Sequence, residues 1–222
     1  MNKWVVRLSL SLLLLALVGC AAAPSKKFDY AKFRSENPHS ILIVPVVNHS
    51  VDVDAPDYFL SSITLPIADR GYYVFPVNLV KQVMADDGLS DADMVRANDP
   101  VKLASLFGAD SVLYVSIERW DAKYAVLSTT VTVQLTYQLK SGKTGELLWS
   151  NQQTVAYAPK NNNTGNVLGN LVAAAITAAV QKAAPNYMPL ARQANTQAID
   201  LVGYGLPAGP YDAAYGKDVA AF

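Results

Sequence analysis

Thr130-Val-Thr-Val-Gln-Leu-Thr-Tyr-Gln-Leu-Lys140 is the stretch that decides the fold. Val131, Val133, Leu135, Tyr137 and Leu139 alternate with Thr130, Thr132, Gln134, Thr136, Gln138 and Lys140. A period of two belongs to a strand with one buried and one wet face. Ser141-Gly-Lys-Thr-Gly145 is its turn, and Glu146 to Ala158 is the return strand. Ser111 to Trp120 reads as the strand before it, so the centre of the chain is an antiparallel meander.

Upstream, the pattern changes. Ile41-Leu-Ile-Val-Pro-Val-Val47 is apolar throughout, as in a strand covered on both faces. Pro45 removes one ladder donor and requires an edge or a bulge. Asp54-Ala-Pro-Asp57 opens a helix with Asp54 as N-cap and Pro56 in its first turn. Phe59, Leu60, Ile63 and Ile67 follow at helical spacing, Pro66 should kink the helix, and Gly71 stops it. Tyr72 to Phe75 is a second strand. Asn78 caps a helix ending at Gly88, Ser90 starts a short one through Ala97, and Asp99-Pro100 opens another ending at Gly108. Beyond the meander, Pro159 to Gly165 is a polar loop. Val167 to Ala184 is a helix apolar nearly all round, hence buried in a core or a subunit interface. Asn186 to Ala198 reads as a last helix. The fold class is α/β (α+β): a mixed five-stranded sheet, with a βαβαβ start and an antiparallel meander, and helices packed on the sheet.

The chain has 222 residues, 51% of them hydrophobic and 16% charged, which is enough apolar side chain for a real core and excludes global disorder. A net charge of zero argues against nucleic acid as a partner. One cysteine excludes an internal disulfide framework and any Cys-rich metal site.

That cysteine is Cys20, and its setting is informative. Lys3 and Arg7 are followed by an apolar run from Leu8 to Val18, the pattern of a signal peptide and too short for a lasting membrane span. Leu17-Val-Gly-Cys20 resembles the bacterial lipobox, in which Leu17, Val18 and Gly19 are read by the signal peptidase and the cysteine thiol accepts the lipid. Residues 1–19 are then a lipoprotein signal peptide, and residues 20–37 the lipidated cysteine with a flexible tether. In many Gram-negative bacteria Asp after the cysteine keeps a lipoprotein in the inner membrane, so Ala21 favours the outer membrane. Residues 38–200 form the α/β domain. Residues 201–222 form a Gly/Pro/Tyr tail, ordered only if it docks on something.

Chemistry is sparse. Gly142-Lys-Thr144 is a fragment of a phosphate loop, but its flanks are strands and no glycine stands at Tyr137, so it is a hairpin turn. His39 and His49 bracket the first strand without metal-ligand spacing. His49, near Ser50, Asp52 and Asp54, could serve as a general base only beside a nucleophile and an orienting carboxylate. Asp86, Asp87, Asp91 and Asp93 lack the glycine and terminal glutamate of a calcium loop and read as helix ends and caps. No catalytic residue, metal, cofactor or small-molecule substrate is assigned. Tyr72, Tyr73, Trp120, Tyr124, Trp149 and Tyr157 lie on or near strands, where aromatics either pack the core or anchor a partner. Tyr72, Tyr73, Trp120 and Trp149, with Val167, Leu171 and Ile176 of the apolar helix, are the candidate protein-interface residues.

Val53-Asp-Ala-Pro-Asp-Tyr-Phe-Leu-Ser-Ser62 and Arg70-Gly-Tyr-Tyr-Val-Phe-Pro-Val77 resemble a family of bacterial lipoproteins of unknown function that includes the GNA-type surface antigens. Leu147-Leu-Trp-Ser150 and Asn161-Asn-Asn163 before an Ala-rich helix are similar to it too, and the resemblance runs from about Ile41 to Asp200. Leu106-Phe-Gly-Ala-Asp110 entering a strand resembles CsgG-type and TolB N-terminal α/β modules. Such likeness implies a periplasmic domain that binds proteins or oligomerises, accessory to a CsgG-type lipoprotein. The resulting expectation is a non-enzymatic, outer-membrane, lipid-anchored, periplasm-facing assembly component that forms a homo-oligomer. A surface-exposed antigen or adhesin, or a cell-wall hydrolase using His49, are the alternatives.

Overall fold

The computed structural model describes residues 28–125, 128–157 and 187–222. The readings on Leu17 to Cys20 and on the apolar helix with Val167, Leu171 and Ile176 lie outside the described residues. The described elements are α1 (Ala31–Glu36), β1 (Ser40–Ile43), β2 (Val47–Asn48), α2 (Ala55–Asp69), β3 (Tyr73–Val74) and α3 (Val77–Asp86). Then come α4 (Ala92–Ala97), α5 (Pro100–Phe107), β4 (Ser111–Ala125), β5 (Ser128–Ser141), β6 (Leu147–Tyr157) and α6 (Met188–Asp200).

The strands form one mixed sheet in the order β3-β1-β4-β5-β6, with β2 also paired to β4. β1 runs parallel to both β3 and β4. β4, β5 and β6 form the antiparallel meander. The sheet has six strands where five were expected, because Ile41–Val47 is broken. Ile43 pairs with Leu113 and Val47 with Ser116, so one chain advances a residue further than its partner between those points. Pro45, which has no N–H to give the ladder, sits in that interruption.

The continuous apolar character of β1 has a plain cause: both faces are covered. Ile41 and Ile43 meet Phe59, Ile63 and Ile67 of α2 in the larger core, together with Leu113, Val115, Leu135, Tyr137 and α6. Leu42 and Val44 meet Val80, Met84, Val95 and Leu103 of α3 to α5 in the smaller one. Over β5 only one face is fully buried, and Val131, Val133, Leu135, Tyr137 and Leu139 are all fully enclosed.

Two helix starts carry the expected side-chain cap, whereas Asp54 stands at the N-cap of α2 without a side-chain cap bond. The Asp91 carboxylate accepts from Met94 N–H and the Asp99 carboxylate from Val101 N–H, each at 2.9 Å. Gly108 ends α5 with φ +68°, the left-handed conformation that costs glycine least. Asn78 is not a cap, since α3 begins at Val77 with Pro76 before it. Pro66 lies inside α2 without ending it.

The domain boundaries differ from the expected ones at both ends. Residues 28–37 are not tether: Tyr30 and Phe33 are 2% and 4% exposed and belong to the main core. Residues 201–222 dock as a strap, which is the condition on which the tail was expected to be ordered. Arg70 Nε donates to Leu206 O at 2.7 Å and Tyr72 Oη to Pro207 O at 2.8 Å. Gly209 N donates to Arg70 O and Tyr211 N to Gly71 O. Short aromatic and polar residues near a chain end pack here because each end supplies the other's partner: Tyr30 Oη donates to Gly205 O at 2.6 Å, and the Phe222 ring lies 5.5 Å from that of Tyr30.

Candidate interaction surface

Tyr72, Trp120 and Trp149 are 4%, 1% and 0% exposed, which removes them from the candidate interface. Each is a core residue. Trp149 Nε1 donates to Tyr204 O at 2.8 Å, so its polar atom is satisfied by the strap. The Trp120 ring lies 5.5 Å from that of Tyr187, just before α6, with the two planes tilted by 37°. Burial raises the Tyr72 phenol far above its usual value, with the Arg70 guanidinium opposing the shift.

Tyr73, one residue on, is 51% exposed. It stands on β3, the edge strand, and its ring meets Phe75 edge-on at 5.0 Å. Period two explains the split: Tyr72 turns inward under the strap while Tyr73 turns out. Beside them runs an open groove of about 630 Å³ lined by Leu65, Ala68, Tyr73, Phe75 and Val77. Leu65 is 65% exposed, and Leu79 on the neighbouring helix is 58% exposed. Leu65 was missed in the sequence because it is out of phase with Ile63 and Ile67; an apolar residue off the helical stripe was the available signal. A second exposed apolar pair, Val51 and Val53, lies in the loop leading into α2 and is 94% and 86% exposed.

A smaller cavity of about 280 Å³ opens between α1 and the strap. Phe33, Tyr72, Pro207 and Tyr215 form its walls, with Arg34 at the rim. The Tyr215 hydroxyl donates to Asn37 Oδ1 at 2.7 Å, and Arg34 donates to Val219 O at 3.2 Å, so the polar rim is occupied by bonds between the two chain ends.

The titratable residues considered for catalysis are placed apart. His49 Nδ1 lies 3.0 Å from Glu118 Oε2, an exposed pair. The Ser50 hydroxyl donates to Asn48 Oδ1 at 2.7 Å, which engages it in its own loop. His39 Nε2 faces Asn37 Nδ2 at 3.3 Å. Asp86, Asp87, Asp91 and Asp93 are exposed. Among the described residues no group of three or more His, Cys, Asp and Glu side chains could hold a metal ion. The turn at Gly142 is a hairpin in which the Ser141 hydroxyl accepts from Lys143 N and Thr144 N. What this surface can do chemically is offer apolar area beside a two-residue edge strand.

Comparison with known proteins places these features in a family. The profile of the family described as "Putative lipoprotein GNA1162-like" matches residues 28–211. A Neisseria meningitidis serogroup B protein, "Putative lipoprotein NMB1124/NMB1162", is 36% identical over 162 residues, covering 73% of this chain and 75% of its own. The crystal structure of lipoprotein GNA1162 from Neisseria meningitidis matches with a TM-score of 0.55 at 34% identity, over 65% of this chain and 99% of that one.

Proposed function

The chain belongs to the GNA1162-like lipoprotein family, and on that premise we propose that it is a non-enzymatic assembly component of the bacterial envelope. Cys20 carries the lipid. The anchor lies in the outer membrane, and the α/β domain faces the periplasm and binds another envelope protein. A CsgG-type lipoprotein is the partner class to which the sequence resemblance points.

The observation that carries this reading is the exposed apolar surface at the β3 edge. Tyr73, Leu65 and Leu79 are each more than half exposed, although the chain buries comparable residues elsewhere. Apolar area of this kind is a common basis for protein docking. Geometry near the anchor adds a constraint. Phe28, already packed against the main core, is eight positions after Cys20. A chain of that length reaches at most roughly 28 Å, so the domain is held close to the bilayer.

Labelled palmitate fed to cells tests the anchor: label is expected on the native chain and absent from Cys20→Ala. A photo-crosslinking residue at position 73 tests the docking surface, and a covalent adduct with a second envelope protein is expected. No label, or label retained by Cys20→Ala, would refute the anchor. No adduct from position 73 would refute the surface. Protease treatment of intact cells separates a periplasm-facing domain, which is protected, from a surface antigen, which is cut.

A further inference from the structure

The smaller core ends in a group of polar side chains. Tyr114 belongs to that core and is 3% exposed, yet its hydroxyl is buried without a hydrogen-bond partner among the described residues. A buried polar group in that state costs free energy and calls for a physical account. Antiparallel pairing sets Gln138 directly opposite Tyr114 and Lys140 opposite Val112, so both point to the face that carries the smaller core. The Lys140 ammonium lies 5.2 Å from the centre of the Tyr114 ring. From α4, Arg96 reaches over the same place. Its Nη1 donates to Ser116 Oγ and its Nη2 to Gln138 Oε1 at 3.4 Å. Arg96 and Lys140 are both partly withdrawn from water. Among the described residues neither forms an ion pair, whereas Lys32, Arg70, Lys81 and Arg119 each do. Two like charges held around one buried hydroxyl repel each other, and an anion between them would lower the free energy.

We infer that Arg96, Tyr114, Ser116, Gln138 and Lys140 form a binding site for a carboxylate, supplied by an acidic side chain of a protein partner. The donor inventory selects an anion. Ser116 Oγ and Gln138 Oε1 already accept from Arg96. The Tyr114 and Ser116 hydroxyls, the Gln138 amide nitrogen and the Lys140 ammonium can all donate, and among the described residues none of them has an acceptor. A ligand that fits must bring acceptor oxygens and negative charge. Asp99 sets how much charge. Its Oδ1 accepts from Val101 N, and it pairs with neither cation among the described residues. Burial raises the Tyr114 phenol, with Asp99 adding and Arg96 opposing, so both charges act on the hydroxyl. Two cations and one carboxylate leave the site with a single net positive charge, which matches a carboxylate better than a dianionic phosphate. Tyr114 and Ser116 are the buried floor, and Arg96, Gln138 and Lys140 are the rim that water and a partner can reach. This deepens the assembly role by giving the chemistry of a partner surface, and it rests on that role for the source of the carboxylate.

Fluorescence anisotropy of a labelled aspartate-rich peptide, added to the full-length chain in detergent, provides the test. The same peptide with asparagine in place of aspartate is the control. The aspartate peptide is expected to bind and the asparagine peptide not to. Lys140→Gln and Arg96→Gln should each weaken binding by about tenfold or more, the loss of one charged hydrogen bond. Lys140→Arg keeps the charge and should retain binding. Tyr114→Phe should weaken binding by about fivefold without lowering the melting temperature, since the hydroxyl it removes has no partner in the chain. A cooperative thermal transition verifies folding of every variant, and where Arg96→Gln loses it, the Lys140 pair decides alone. No binding of the aspartate peptide, equal binding of its asparagine counterpart, or variants that bind like the native chain would each overturn the inference. So would displacement of the peptide by inorganic phosphate at lower concentration than by acetate, at equal ionic strength, because the site would then prefer a dianion. The position 73 adduct is scored separately, so loss of peptide binding with that adduct intact refutes this site and leaves the assembly role standing.

Discussion

The guanidinium of Arg70 lies 3.1 Å from the carboxylate of Asp218, joining the end of α2 to the last turn of the strap. Both side chains are largely withdrawn from water, at 19% and 16% exposed. Arg70 also donates from Nε to Leu206 O, and its guanidinium lies 5.1 Å from the centre of the Phe222 ring. Asp218 accepts in addition from Ala208 N at 2.7 Å. One ion pair thus gathers three points of a segment that has no helix or strand of its own.

Replacing Arg70 with Ala leaves the Asp218 carboxylate and the Leu206 carbonyl without this donor. We predict a loss of about 2–4 kcal/mol, the range for breaking a partly buried charged hydrogen bond and stranding its partner. Chemical denaturation of native and Arg70→Ala chains measures it. An unchanged midpoint would mean that the strap holds without the pair.

Gly71 stands next to that pair with φ +83°, and an added Cβ would collide with the backbone of Asp212. Gly71→Ala should release the strap, since left-handed strain of about 1–2 kcal/mol adds to the collision. Trypsin reads this directly: cleavage after Lys217 should rise strongly in the variant and remain slow in the native chain.

Inside the main core, Tyr137 Oη donates to Asn195 Oδ1 at 2.7 Å, and Asn195 Nδ2 donates to Ser62 Oγ at 2.9 Å. Asn195 and Tyr137 are fully enclosed. Asn195→Ala orphans the phenol and should cost about 2–3 kcal/mol. In the double variant with Tyr137→Phe the combined loss should be smaller than the sum of the two single losses, because no orphan remains. Strict additivity in a double-mutant cycle would contradict the chain of bonds.

Tyr30, Tyr72 and Tyr137 have their phenols raised above the ordinary value of 10.0, chiefly by burial. Tyr114 is raised to about 12 by burial, with Asp99 adding to the effect. The folded state therefore keeps these protons when the unfolded chain releases them. Stability is fully present below the unfolded value and falls as pH rises past 10. Absorbance at the phenolate band should show these tyrosines ionising together with loss of circular dichroism, after the exposed ones. A single early ionisation step in the folded chain would refute their burial.

Asp200, at the end of α6, also has a raised pKa, first through desolvation, with Asp69 adding and Arg70 opposing. A raised carboxylate binds its proton more tightly when folded, so its charged form costs stability at neutral pH, and the cost disappears as pH falls through the folded value. Asp200→Asn should therefore raise the melting temperature at neutral pH and converge with the native chain in acid. A gain that persists unchanged in acid would assign the effect to something other than charge.

Much of the fold was legible because it is local. The alternation at Val131 to Leu139 named its buried face correctly, and Asp99-Pro100 with Gly108 bounded a helix correctly. The surface was much less legible. Trp149 and Tyr73 look alike in the sequence, both aromatic residues on strands, yet one is wholly enclosed and the other half exposed. The difference lies in what covers each strand, which for Trp149 is the strap, more than fifty residues further along the chain.

The sequence by itself determined most of the order of strands and helices, though not α1 or the separate β2, and it determined the lipobox-like cysteine, because each is written in neighbouring residues through period, capping chemistry and composition. Only the tertiary structure decided where the domain begins and ends. Tyr30 and Leu206 carry no local sign of burial; they are buried because the two chain ends meet over α2 and β6. It also decided which strands stand at the ends of the sheet among the described residues, since that position follows from how distant strands pair and not from any one of them.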